Sequence, residues 1–169
     1  VIVLAGRPGK FCAGFDLNVM GKMDADSQRL LRRGADIAGR LAHSKTPVIA
    51  AVTGHALAMG ALICLSADYR LGCRGSFKLG LNEVAIGMTL PWFGIELARE
   101  RVIEAHAHQV VTLARIYDPE GAAEAGILDA CCEPENLLAE AASTAERFAA
   151  LDMPSFAATK ARLREGFAA

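Results

Sequence analysis

Two glycine-bearing turns and one isolated acid carry the chemistry legible in this chain. The first turn is Phe11-Cys12-Ala13-Gly14-Phe15-Asp16-Leu17; the second is Gly54-His55-Ala56-Leu57-Ala58-Met59-Gly60. Each follows an apolar, β-branched run, Val1-Ile2-Val3-Leu4 or Pro47-Val48-Ile49-Ala50-Ala51-Val52, and each leads toward helical sequence. Strand ends of this kind present free backbone N–H groups, and two of them can be aimed at one oxygen. That is the requirement for stabilising an oxygen that becomes negative during a reaction. Gly14 permits a sharp bend and close approach of a ligand to the backbone. The N–H of Phe15 then points outward, and Asp16 can cap the next turn through its side-chain oxygen. At the second turn, a helix N-terminus offers unpaired N–H donors and a partial positive charge. Taken alone, the first turn also reads as an ordinary βα loop, and the second as a buried helix packed through Gly60 and Ala61.

The acid is Glu83, the only one between Asp68 and Glu96, with apolar neighbours in Gly80-Leu81-Asn82-Glu83-Val84-Ala85-Ile86-Gly87-Met88. Burial would raise its pKa and make it a usable general base or acid; the competing reading is a surface carboxylate on a loop. Other chemistries find little support. Gly6-Arg7-Pro8-Gly9-Lys10 has glycine spacing too short for a phosphate loop, with Phe11 where a magnesium-binding Ser or Thr is needed. The turns are not GxGxxG, no serine lies in a GxSxG elbow, and His106 and His108 face different sides of a helix. No His/Cys/Asp set has metal-ligand spacing.

The elements that must position these residues follow from patterning. Val1–Leu4 and Val48–Val52 are continuously apolar and read as buried parallel strands. Ala5–Asp16 reads as a loop, and Asp26–Ala42 as a helix with one apolar face and an Arg-rich one. Leu57–Ala67 is apolar nearly all round and reads as a central helix. Tyr69–Cys73 is a short strand and Phe77–Leu81 a strand or turn. Pro91 opens a helix over Trp92–Arg101. Helices over Glu104–Leu113 and from Pro119 toward Gly126 follow, then a brief strand from Ile127-Leu128, and final helices over Glu135–Leu151 and Pro154–Phe167. Strand–turn–helix units dominate the first half and helices the second, an α/β core with a helical tail. Without repeats, low-complexity tracts or linkers, the chain reads as one domain.

Bulk composition sets the class. The 169 residues are 53% apolar, enough for a sizeable core, with 22% charged residues and a net charge of −1. Nothing suggests nucleic acid or a membrane surface. The longest uncharged stretch, Thr46–Ala67, is broken by Pro47, Gly54, His55 and Gly60, so it is not a membrane span. There is no signal-peptide pattern. Five cysteines, Cys12, Cys64, Cys73, Cys131 and Cys132, include no CxxC pair and read as free thiols in a reducing cytoplasm. Val1 begins directly on a strand, so an N-terminal portion is expected to be missing.

Taken in order, these pieces resemble the crotonase (enoyl-CoA hydratase/isomerase) family. The matching stretches are Phe11–Leu17; Pro47–Gly54 with Ala56-Leu57; Asp68-Tyr69-Arg70; Gly80–Val84 with Gly87 and Pro91; and Ala122–Asp129. Each is weak alone; the ordered set, covering nearly the whole chain, is specific. The resemblance implies a crotonase-like spiral of ββα units, with a core over roughly 1–115 and a helical trimerisation region over 116–169. It implies acyl-CoA substrates of fatty-acid metabolism, homotrimers or dimers of trimers, and no cofactor beyond the coenzyme A of the substrate.

By the same resemblance, the oxyanion donors are the N–H groups of Phe15 and Met59, and Glu83 is catalytic. Ala13, Asp16 and Leu17 bind coenzyme A, and Leu62 and Trp92 face the substrate. Following Pro91, Trp92 and Phe93 either line the acyl pocket or pack in the core or at a trimer interface. The hydratase branch flanks a water with two glutamates; the first of these positions holds Leu62 here. Adding water needs both groups, whereas moving a double bond needs one base. The likeness is therefore nearest the isomerase branch, a double-bond isomerisation through an oxyanion-stabilised enolate. Hydratase (lyase) activity of β-oxidation is the alternative, and a non-catalytic acyl-CoA-binding paralogue is the alternative of another class.

Overall fold

The computed structural model describes residues 1–165. The chain winds as successive strand–strand–helix units. β1 (Ile2–Ala5) and β2 (Gly9–Cys12) lead into α1 (Leu17–Met20) and α2 (Ala25–Ala42); β3 (Val48–Val52) and β4 (Gly54–Leu57) lead into α3 (Met59–Ser66). β5 (Tyr69–Cys73) and β6 (Leu79–Gly80) lead through a 3-10 turn at Val84–Ile86 into α4 (Trp92–Arg101). α5 (Glu104–Val111), α6 (Pro119–Glu124), β7 (Ala130–Cys132), α7 (Leu137–Ala149) and α8 (Met153–Leu163) follow. Odd-numbered strands form one sheet in the order β1-β3-β5-β7, and even-numbered strands form a second in the order β2-β4-β6. All pairings within both sheets are parallel. This is the α/β spiral of ββα units that the sequence suggests.

Each unit's geometry has a local cause. Every residue of β3 is buried, which explains its unbroken apolar run. α3 buries seven of its eight residues; its one hydroxyl, on Ser66, donates back to the Leu62 carbonyl at 2.7 Å. α2 starts where the Asp24 carboxylate accepts from Asp26 and Ser27 N–H, and it turns Ser27, Gly34, Ala38 and Ala42 inward. Two ion pairs tie the first sheet to the later part of the chain, one at the loop before β7 and one at α8. Arg70 donates to Asp129 from Nε and Nη2 at 2.8 and 2.5 Å, and to the Gly126 carbonyl. Asp68 accepts from the Val48 N–H and from Lys160 of α8, at 2.8 and 2.7 Å. The Asp68-Tyr69-Arg70 stretch is thus a fastening for the frame.

Four readings of the sequence need correction. β1 is an edge strand, not a buried one: Val1, Ile2 and Val3 are 38–40% exposed. The Ala5–Asp16 loop contains β2, and the central helix begins only after β4. Both strands are four residues long and gain their structure from pairing with each other, which periodicity cannot register. The last strand lies at Ala130–Cys132 rather than Ile127-Leu128, because its ladder with β5 opens where Asp129 N–H donates to the Arg70 carbonyl. Ile127 and Leu128 are core residues of the preceding loop, so the 116–169 region adds a strand as well as helices. The predicted end of the final helix, at Phe167, lies outside the described residues.

Candidate active site

β2 and β4 are neighbours in parallel register, Cys12 opposite Ala56, so the turns that leave their C-terminal ends emerge side by side. Gly14 has φ of 101°, a conformation side-chain-bearing residues rarely adopt. A Cβ there would lie 3.0 Å from the Ala58 Cβ and 3.7 Å from the Met59 nitrogen, so the two turns are in van der Waals contact. Met59 is the first residue of α3, and its N–H has no partner within the helix. Among the described residues, neither the Phe15 nor the Met59 N–H meets a backbone acceptor. Ala58 takes φ 49° and ψ −121°. It is held there by its N–H to the Gly80 carbonyl and its carbonyl to the Leu62 N–H, both 3.0 Å.

A cavity of about 140 Å³ opens beside these turns. Its lining includes Ala13, Phe15, Ala58, Leu62, Asn82 and Glu83. Glu83 sits just before the 3-10 turn, and its carbonyl accepts from the N–H groups of Ile86 and Met88 at 3.1 and 2.9 Å. Gly87, with φ 78°, closes that turn. The side chain thereby points inward: Glu83 is 7% exposed, and its Oε2 is buried with no hydrogen-bond partner. Burial pushes its carboxyl above the ordinary carboxylate value, against a smaller opposing effect of its own backbone N–H. A buried carboxylate of raised pKa facing an apolar cavity is suited to exchange a proton with a bound carbon acid.

The remaining predicted residues fall into three groups. Leu62 is 1% exposed and forms part of the cavity wall, offering only hydrocarbon. Ala13 and Leu17 are exposed and line the same cavity; Asp16 caps α1, accepting from Asn18 N–H at 2.8 Å. Trp92 stands 76% exposed, outside the lining, and the neighbouring Pro91 takes the wall position while Phe93 joins the core. Two site residues gave no sequence signal. The positive φ of Ala58 is invisible in an alanine. Asn82 lines the cavity with a buried Oδ1 that lacks a partner, and only its place beside Glu83 marks it.

The enoyl-CoA hydratase/isomerase family model matches residues 1–168. The chain belongs to the enoyl-CoA hydratase/isomerase family. It is 28% identical to human mitochondrial enoyl-CoA delta isomerase 1 over 99% of this chain and 56% of that protein. It is 30% identical to a probable enoyl-CoA hydratase of Rhizobium meliloti, over 91% of this chain and 59% of the relative. The chain thus spans under two thirds of these curated relatives. Among solved structures, an enoyl-CoA hydratase/isomerase family protein from Pseudomonas syringae superposes with a TM-score of 0.97 at 40% identity, covering 99% of this chain and 73% of that one. Human mitochondrial delta3-delta2-enoyl-CoA isomerase superposes at 0.92 with 27% identity, covering 98% and 65%. The family fold is thus present, and both named reactions occur among the relatives. Among the described residues, no helix is long and apolar enough to cross a membrane.

Proposed function

We propose that this chain carries the active site of an enoyl-CoA isomerase that moves a double bond from C3 to C2 of an acyl-CoA thioester. The observation that carries the reading is the buried Glu83, its Oε2 without a partner, facing a cavity in which Leu62 holds the first of the two hydratase glutamate positions. The thioester carbonyl accepts from the N–H groups of Phe15 and Met59. Ionised Glu83 removes a proton from C2, and the electron pair moves onto the carbonyl oxygen to give a dienolate. The protonated Glu83 then returns that proton to C4, and the pair reforms the carbonyl with the double bond between C2 and C3. No net proton or water is consumed, so one acid suffices. Each N–H donor is worth roughly 3–4 kcal/mol to the enolate, and the base about 10²–10⁴-fold.

Ala13 and Leu17, exposed at the cavity, and Asp16 beside them are the residues we assign to hold the coenzyme A moiety, with no cofactor beyond it. The exposed Leu138, Leu151 and Leu163 are apolar surface of the kind a trimer covers, at 60%, 48% and 70% exposure. The five unpaired cysteines suit a reducing compartment such as the cytoplasm.

One observation favours a second reading. The Asn82 Oδ1 beside Glu83 is a second polar group without a partner, and the two together could hold a water for hydration. Parallel assays of 3-enoyl- and 2-enoyl-CoA separate the two. Turnover of the 3-enoyl substrate that collapses in Glu83→Gln supports isomerisation. Preferential water addition to the 2-enoyl substrate, with Glu83→Gln no slower than wild type, ends it.

A further inference from the structure

Gly34 lies in the middle of α2 on its buried face, one turn from Leu31, which lines the cavity. A glycine inside a helix weakens it relative to alanine, so its presence calls for a steric reason. A methyl group at position 34 would stand 2.3 Å from Cζ and 2.9 Å from Cε1 of Phe15, and 3.2 Å from Sδ of Met59. The side chains of the two residues whose N–H groups form the proposed oxyanion hole therefore meet at one α-carbon of a third element.

This meeting point matters because of what precedes Phe15. Gly14 is conformationally permissive, so it does not by itself fix the plane of the peptide that carries the Phe15 N–H. The orientation must be set from the other side, by the Phe15 ring. That ring is held against Gly34, and Met59, 4% exposed at the start of α3, is held against the same spot. We propose that Gly34 is a positioning residue for the oxyanion hole. Its missing side chain leaves the seat in which the Phe15 ring and the Met59 thioether dock together, and that seat aims both N–H groups at one oxygen. The proposal rests on the oxyanion reading above. A methyl 2.3 Å from the ring lies more than about 1 Å inside an ordinary carbon–carbon contact of about 3.5 Å, so the ring must shift by more than the roughly 0.5 Å within which catalytic donors must be held.

The test uses Gly34→Ala, Phe15→Leu and the double variant in the full chain, with Glu83→Gln as a reference. Phe15→Leu removes the ring atoms nearest position 34. Gly34→Ala is expected to lower kcat for the 3-enoyl thioester about 10–100-fold with KM within about threefold. The double variant, in which the leucine side chain seats beside the added methyl without the ring clash, is expected to recover at least about tenfold over Gly34→Ala, up to the activity of Phe15→Leu alone. A second readout does not need turnover. Acetoacetyl-CoA ionises to an enolate with its own ultraviolet absorption, and Gly34→Ala should bind it with similar Kd but show a smaller enolate fraction. Gly34→Ala within twofold of wild type, or a double variant no faster than Gly34→Ala, overturns the proposal. So does an unchanged enolate fraction. If Gly34→Ala fails to fold, a folded and active double variant supports the same contact, and two misfolded variants overturn it. Glu83→Gln separates the two claims. Wild-type rates in that variant remove the base reading, whereas a fully active Gly34→Ala in an enzyme stopped by Glu83→Gln removes only the steric one.

Discussion

Gly14 and Ala58 occupy corresponding places in successive strand–turn units, and both carry positive φ, 101° and 49°. The first turn achieves this with glycine and secures itself with Asp16, whose carboxylate caps α1. The second uses an alanine and has no side-chain cap; it is gripped by main-chain bonds to β6 and α3. One turn is specified by its own residues, the other by the structure around it. A non-glycine residue in such a conformation stores about 1–3 kcal/mol of strain, which the packing of β4, β6 and α3 must hold. Two equivalent donors can therefore be built with different sensitivities: the bend of the first depends on its own residues and that of the second on its surroundings, while both side chains share the seat at Gly34.

The largest expected effect breaks the first turn. Gly14→Val adds a branched side chain where a single Cβ already lies 3.0 Å from Ala58 and where φ is 101°. It should cost one donor, roughly 10²–10³-fold in kcat, measurable with the 3-enoyl substrate; an active Gly14→Val would remove Phe15 from the hole. Next, Asp16→Ala should destabilise the protein locally by about 1 kcal/mol through the lost cap, read as faster amide exchange in α1, with no change around α3. The reverse experiment is Ala58→Gly, which relieves strain at the second turn. It should raise stability by up to about 1 kcal/mol in denaturant unfolding while lowering kcat a few-fold. A loss of stability would show that Ala58 is not strained.

A last, pH-dependent effect on stability concerns Glu83, which belongs to neither turn. Its pKa is raised in the folded state, so the folded protein holds the proton more tightly than the unfolded chain. Its ionised form thus costs stability above the folded pKa, and that cost vanishes as pH falls below the unfolded value. Glu83→Gln should therefore raise Tm near pH 7 and leave it unchanged in acid. Wild-type activity should decline on the acid side with a midpoint above the usual carboxylate range, because the base must be ionised.

The same contrast explains what the sequence disclosed. The first turn was readable because glycine and aspartate announce a bend and a cap, and Pro91 similarly announced α4. β3 was readable because its apolar run is intrinsic. Of the second sheet, only β6 was suggested, inside Phe77–Leu81; β2 and β4 were not, since Gly9–Cys12 and Gly54–Leu57 have no pattern apart from their partners. At the site, Glu83 stood out as a lone acid among apolar neighbours. The strain at Ala58, the unpartnered Asn82 and the contact at Gly34 are properties of three-dimensional proximity, and no single position records them.

The alternation of strands between two sheets has a kinetic consequence. Ile2 pairs with Val48 and Leu71 with Ala130, and among the described residues no hairpin joins any two neighbours within either sheet. Every ladder must close a long loop before its contacts compensate for the lost chain entropy. Refolding from denaturant should consequently lag far behind helix formation, with the helical signal returning first and the unpaired strand edges exposed to other chains in the interval.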